Sequence, residues 1–551
     1  MRWFYQSVVT AMASDSKIVL GLDFGTESVR ALLVDLRGNE LASVSVPYPH
    51  GQIVETLPGN KRKLPPFYAL QHPTDWLTSA AKATRAAKKK ASVDARQIIG
   101  IGVDFTSCTM LPTLSDGTPL CLTKEFAEEP LAWPKLWKHH GAHTQTDRIN
   151  AVARSRNESF LSRYGGIIGL EWLFPKMLET LENAPRVYNA TEVWLEAGDW
   201  FVWQLVGGRA NDLPRSTCQA GYKGLWNAQD GFPQESFLKA VNPKFAHVVR
   251  DKMPGRMVAP GVAAGGLTAA MAKAFGLQPD TPVSAAIIDA HSGVPGAGAA
   301  APGTLVMVMG TSSCHMLNSD VERSVPGVAG VVKDGILPGF YGYETGQAAV
   351  GDAFDWLRRM TGHKDFSVLG SEAAQLPPGS DGVLCMDWFN GCRTPLMDGT
   401  LRGGFSGLAL HHRPAHLYRS LLEASAFGLR WIVELLRDGG VPVKKFVATG
   451  GLPHHNPLVV QVYADVLGES ILVHPSKQGP ALGAAILGAL AAGAFSNSGA
   501  AIRAMSVPAA GTAAVYKPDK SHRSAYDSVY QQYRRMGDFL SSTSDSSHSG
   551  R

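Results

Sequence analysis

Two short stretches hold residues that phosphate chemistry could use: Asp23-Phe24-Gly25-Thr26 and Gly310-Thr311-Ser312. In each, an apolar strand breaks at Gly-Thr and resumes directly, with no helix after the glycine. Glycine lets the backbone approach a ligand and aim N–H groups at it, and the adjacent hydroxyl adds a donor. Such a turn makes an anion-binding concavity. Arg30, four residues beyond Thr26, supplies a positive charge within reach. A third stretch, Ile287-Ile288-Asp289-Ala290-His291-Ser292-Gly293, ends an apolar run in an acid with no cation near it in sequence, followed by small residues. No role is assigned to His291. Gly450-Gly451 lies between a strand and a helix expected from near Pro457, and suits close approach of a flat or phosphorylated ligand. Any one of these is also what an ordinary turn looks like. The recurrence of the Gly-Thr hairpin argues for an internal duplication, with two similar domains facing each other.

The elements around these residues read as α/β. The first hairpin belongs to a strand–turn–strand–turn–strand meander over residues 18–46, which excludes a P-loop or a dinucleotide-binding glycine loop, since either must open a helix. Residues 74–97 read as a helix whose basic run, Lys82, Arg85 and Lys88 to Lys90, is a solvated face. A buried strand then ends in Asp104 and Ser107, and a Trp/Tyr-rich middle follows. From about residue 281 the chain restarts as strand and turn, and 479–493 reads as a helix with small residues on several faces, suited to close packing. The expected division is an extension over 1–16, domains over 17–280 and 281–538, and a disordered tail over 539–551.

Bulk properties exclude several classes. The chain has 551 residues, 45% hydrophobic and 18% charged, as in an ordinary globular protein that needs no staple. A net charge of +5 gives no nucleic-acid signature at this length. The six cysteines contain no C-x-x-C pair and read as reduced thiols. The first residues lack the apolar core of a signal peptide, and a start at Met12 would serve equally well. The most apolar tract, 481–495, falls short of the ~20 residues needed to span a bilayer. These features give a soluble, cytoplasmic expectation. The adjacent pairs His411-His412 and His454-His455 suit surface loops better than a shared metal, and G-x-G-x-x-A at Gly296 is stopped by Pro302-Gly303.

Taken in order, "GLDFGTESVRALLVD", "IIDAHSG", "MGTSSCHML", "ATGGLPHHNPLVVQVYADVLG" and "GPALGAAILGA" resemble the FGGY carbohydrate kinases, over roughly residues 17–535. The resemblance implies the actin-like ATPase (ribonuclease H-like) fold, with two duplicated domains around a cleft. It also implies transfer of the γ-phosphate of MgATP to a sugar. Within the family, "IGVDFTSCTMLP", "KLWKHH", "AGYKGLW" and "GYETGQAAVGDAFDW" are most similar to the members acting on L-ribulose, phosphorylated at C5 in arabinose catabolism. D-ribulose, xylulose or another polyol stays open as acceptor, as does a sugar-free actin-like ATPase. By the same resemblance Asp289 is the catalytic base. Asp23 holds Mg²⁺, Thr26, Arg30, Gly310 and Thr311 face the phosphates, and Gly450, Gly451 and Asn456 face adenosine. Ser107, Lys223, Asp289 and Glu344 contact the sugar. Glu27 departs from the Thr or Ser common at its position and is given no phosphate role. A homodimer is compatible with the family.

Overall fold

The computed structural model describes residues 17–509 and 511–548, so the expected 1–16 extension lies outside the described residues. Two seven-stranded sheets form the frame. In the first, β1 (Ile18–Phe24), β2 (Ser28–Asp35) and β3 (Glu40–Pro47) are the expected antiparallel meander. Parallel strands β4 (Ile98–Phe105) and β5 (Pro282–Ser284) follow, giving the order β3-β2-β1-β4-β5, with an antiparallel strand Ala263–Gly266 at the far edge. The second sheet repeats the plan. It orders β8 (Tyr341–Gln347), β7 (Ser313–Ser319), β6 (Thr304–Met309), β9 (Lys445–Thr449) and β10 (Ile471–Val473), again with three antiparallel strands, two parallel ones and an antiparallel edge, Ala514–Tyr516, while a seventh strand, Gly330–Lys333, pairs antiparallel outside β8. The duplication suggested by the Gly-Thr hairpins therefore extends to strand order and direction.

Strand Ile287–Ile288 also pairs with β4, so the first sheet continues beyond residue 281, where a restart is expected. A strand buried on both faces is a plain apolar run wherever it stands, and its sequence does not say which sheet it joins. After Ile288 the chain makes no turn. Helix α1 (Asp289–Gly296) starts at the acid itself, and its small residues face helix α2 (Gly479–Ala491). The last helix, Arg523–His548, covers most of the segment expected to be disordered. Its buried Tyr526, Tyr530 and Tyr533 anchor it, and Ser and Asp are poor but tolerated helix residues beyond the anchor.

The basic face of helix Pro73–Ala91 is only partly solvated. Arg85 donates to the Lys273 carbonyl at 3.0 Å and Lys88 donates to that of Gly276. The two cations thus meet the carbonyl end of helix Ala269–Phe275, where positive charge is favoured.

Helix α2 joins the halves. It follows the second sheet's β10 in sequence yet packs on β1 and β4 of the first sheet and on α1. Its small residues are packing faces. A Cβ at Gly102 of β4 would fall 1.7 Å from the Ala484 carbonyl oxygen of α2, so the approach requires glycine. Gly102→Ala should therefore lower stability by about 1–3 kcal/mol or more, as overpacking against backbone does. Thermal unfolding measures it, and an unchanged midpoint would refute this packing account.

Candidate active site

β1, β4 and Ile287–Ile288 run parallel, and their carboxyl ends bring three acids together. Asp23 is the register partner of Asp104, Asp104 also pairs with Ile287, and Asp289 follows one residue after Ile288. Ligands of open α/β sheets bind outside such strand ends. Asp23 accepts a 2.8 Å bond from the Arg30 guanidinium. Asp104 is fully buried, and neither of its oxygens has a partner among the described residues. Burial, then the charges of Asp23 and Asp289, push its carboxyl well above the ordinary range. Burial also raises Asp23, against the opposing Arg30. Burial pushes Asp289 up to about 7, opposed by the Ala290 N–H that its Oδ1 accepts at 2.7 Å. Of the three carboxyls only Asp23 meets the guanidinium, and carboxylate oxygens such as its own are the donors a hard divalent cation takes.

Asp289 opens onto a cavity of about 790 Å³ lined also by Thr26, Ser107, Lys223 and Glu344. Lys223 ends helix Thr217–Lys223 and Glu344 lies in β8. The two form a buried ion pair, with Nζ 3.1 and 3.0 Å from the two carboxylate oxygens. Burial disfavours both charges, yet each outweighs that cost for the other. Lys223 is held above its ordinary value and Glu344 well below. Thr26 Oγ1 accepts from Trp137 Nε1 at 3.1 Å, fixing the first hairpin against the Trp-rich middle. Ser107 precedes Cys108, which has φ +56° and whose carbonyl accepts from buried Lys176 at 2.6 Å. Arg393 and His291 also line this cavity. Arg393 has no sequence signal tying it to Asp289 and His291 has only its place two residues further on, whereas Asp104 ends an apolar strand just as Asp289 does.

A second cavity, about 800 Å³, is lined by Gly310, Thr311, Gly451 and Asn456, with Phe366 stacked on Tyr418 at 5.7 Å. Gly450 has φ +94°, and a Cβ there would fall 2.5 Å from the Met309 carbonyl oxygen. Glycine is thus demanded by the turn, while Gly451 faces open space. A short helix, Gly451–His455, precedes the one expected at Pro457, so His454-His455 are helical, and His455 lines the cavity. Asn456 lines it too, but its amide is engaged, donating to Tyr418 Oη at 2.8 Å and accepting from the Val459 N–H. Arg30 is the one expected phosphate contact that faces elsewhere, toward Asp23. Loop 310–312 stands between the cavities. Gly310 and Thr311 line one, and Ser312 lines the other.

Two lobes of repeated topology, with an acid-floored cavity and a glycine-lined cavity sharing one loop, define a two-substrate phosphotransferase. The N-terminal domain of the FGGY family of carbohydrate kinases matches residues 18–296 and its C-terminal domain matches 305–492. The chain belongs to this family and is a carbohydrate kinase. It is 44% identical over 538 residues to a ribulokinase of Geobacillus thermodenitrificans, covering 95% of this chain and 94% of that one. It is 42% identical over 539 residues to one of Mycolicibacterium smegmatis, with the same coverage. The fold superposes on xylulose kinase of Rhodospirillum rubrum with a TM-score of 0.79 at 24% identity, over 96% of this chain and 99% of that one. Glycerol kinase of Plasmodium falciparum with ADP gives 0.75 at 17%, over 95% and 98%.

Proposed function

We propose that the protein phosphorylates the C5 hydroxyl of L-ribulose, giving L-ribulose 5-phosphate and ADP. The observation carrying this reading is the shared loop. A phosphate resting on Gly310 and Thr311 would have the Asp289 cavity on its other side. The relatives named ribulokinase support the choice of sugar. The step would supply arabinose catabolism in the cytoplasm. No described helix is long and apolar enough to cross a membrane.

A sugar hydroxyl holds its proton too tightly to attack phosphorus at neutral pH. Asp289 Oδ1 already accepts the Ala290 N–H, which leaves Oδ2 to accept the hydroxyl proton as the new P–O bond forms. Asp289 is the base in this reading. Lys223 and Glu344 hold the ketose and its hydroxyls, with Ser107 in the lining of the same cavity. Thr26, Gly310 and Thr311 receive the phosphate, while Gly450, Gly451 and Asn456 shape the adenosine slot. Asp23 would hold Mg²⁺, which supplies charge neutralisation to the phosphate oxygens. Arg30 holds Asp23 in place and reaches the phosphates only if that pair opens. Ser107 and Lys223 of the expected sugar-binding half share the sugar cavity with Asp289 and Glu344 of the expected nucleotide-binding half, and a homodimer is compatible with this reading.

The test is ADP release with L-ribulose, D-ribulose, D-xylulose, ribitol and glycerol. L-Ribulose should give the highest kcat/KM. A clear preference for a non-ribulose acceptor would overturn the substrate, and sugar-independent ADP release would overturn the kinase reading.

A further inference from the structure

His291 is the third residue of α1, two positions after Asp289, and its side chain is 2% exposed. The imidazole lines the Asp289 cavity, with its ring centre 4.2 Å from that of Tyr222 and tilted by 47°. Its Nε2 lies 3.3 Å from Glu344 Oε2, the carboxylate already clamped by Lys223. Burial lowers the pKa of His291 against the pull of Glu344, so the ring is neutral in the physiological range. An ionised carboxylate only accepts, so the nitrogen facing it carries the proton. In a neutral ring the other nitrogen, Nδ1, is then an acceptor. That Nδ1 is buried and has no hydrogen-bond partner among the described residues, and Nε2, though 3.3 Å from Glu344, does not complete a hydrogen bond with it in this structure. Buried acceptors are nearly always satisfied, and an orphan in the wall of a substrate cavity points to a ligand donor.

We propose that His291 is a specificity-determining residue, whose Nδ1 accepts a hydrogen bond from a ketose hydroxyl while Nε2 stays turned to Glu344. This assignment rests on the sugar-kinase reading of the same cavity. Its consequence is selective. A sugar lacking that hydroxyl leaves a buried acceptor unpaired, and sites built to bond a hydroxyl reject the analogue without it far more strongly than apolar pockets discriminate by size.

The experiment compares His291→Asn, which keeps a polar group near the position of Nδ1, with His291→Gln, which keeps one near Nε2. Steady-state constants are measured for the sugar and for ATP, alongside thermal unfolding. His291→Gln should raise the sugar KM on the order of ten- to a hundredfold, with ATP KM and melting temperature near wild type. His291→Asn should stay within a few-fold of wild type. Singly deoxygenated ketoses give the second measurement. One of them should lose affinity with wild-type enzyme and show no further loss with His291→Gln. A wild-type sugar KM in His291→Gln, or equal losses in both variants accompanied by equal losses of melting temperature, would overturn the proposal. If neither variant folds, the deoxy series on wild-type enzyme decides, and uniform affinity across it counts against Nδ1. Wild-type turnover of a different polyol refutes the choice of ribulose alone, and the series is then run on that polyol. Turnover of none of them overturns both.

Discussion

Asp289→Asn is expected to cut kcat for sugar phosphorylation by about 10²- to 10⁴-fold, the range a positioned general base contributes. Asn keeps the shape of the side chain and can still accept the Ala290 N–H that Asp289 Oδ1 accepts at 2.7 Å. It removes the basicity. Sugar and ATP binding, followed by calorimetry, should therefore persist while turnover collapses, because the lost interaction strengthens only in the transition state. Near-normal turnover would remove Asp289 from the role. The wild-type pH profile gives a second handle. Burial raises this carboxyl to about 7, so much of the free enzyme carries it protonated below that pH. The base must be ionised to accept a proton. Thus kcat/KM should rise with pH through about 7 and flatten above, and the rising limb should be missing from the residual activity of Asp289→Asn. A profile already flat from pH 5 would show that the carboxyl ionises far lower than its burial dictates.

What could be read from sequence follows from how local each signal is. The Gly-Thr hairpins are complete within a few residues, so their turns, their recurrence and the absence of a following helix are all legible. The same holds for Gly450, where glycine is forced by the Met309 carbonyl 2.5 Å from where a Cβ would stand. Long-range pairing is not local. Nothing near Pro282–Ser284 says that it lies beside β4, where Val283 pairs with Ile101, so the sequence does not show which sheet this strand joins. The same limit hides His291. Its importance comes from Glu344 and Tyr222, which reach it from other strands and helices. Asp104 is intermediate, since an acid ending an apolar strand was visible, but only the register with Asp23 shows it to be part of the site. Arg30 went the other way. Its charge was legible, while its 2.8 Å engagement with Asp23 depends on β1 and β2 being paired.

Lys223→Met should carry the largest stability effect. It leaves the Glu344 carboxylate buried without the cation that lies 3.0 Å from it, and removing one partner of a buried pair costs about 3–5 kcal/mol. His291, 3.3 Å from Glu344, is neutral and cannot replace the charge, and the pull of Arg393 on this carboxyl is weaker than that of Lys223. The sign of the pH dependence separates this cause from lost packing. In wild type, Glu344 is held below its ordinary value, so it contributes stability above about pH 4.5 that is lost as the pH falls through that value and below. In the variant, burial is no longer outweighed and the folded-state pKa of Glu344 should rise above its unfolded value. The folded state then binds the proton more tightly, and stability should increase as the pH falls. The difference in melting temperature between wild type and Lys223→Met should therefore shrink toward pH 5 and widen toward pH 8. Adding Glu344→Gln to Lys223→Met should recover most of the lost stability, since the unpaired carboxylate is removed, yet it should not restore sugar affinity, because both charged contacts to the ketose are gone. A pH-independent difference, or a double variant less stable than Lys223→Met, would show that the pair acts by shape and not by charge.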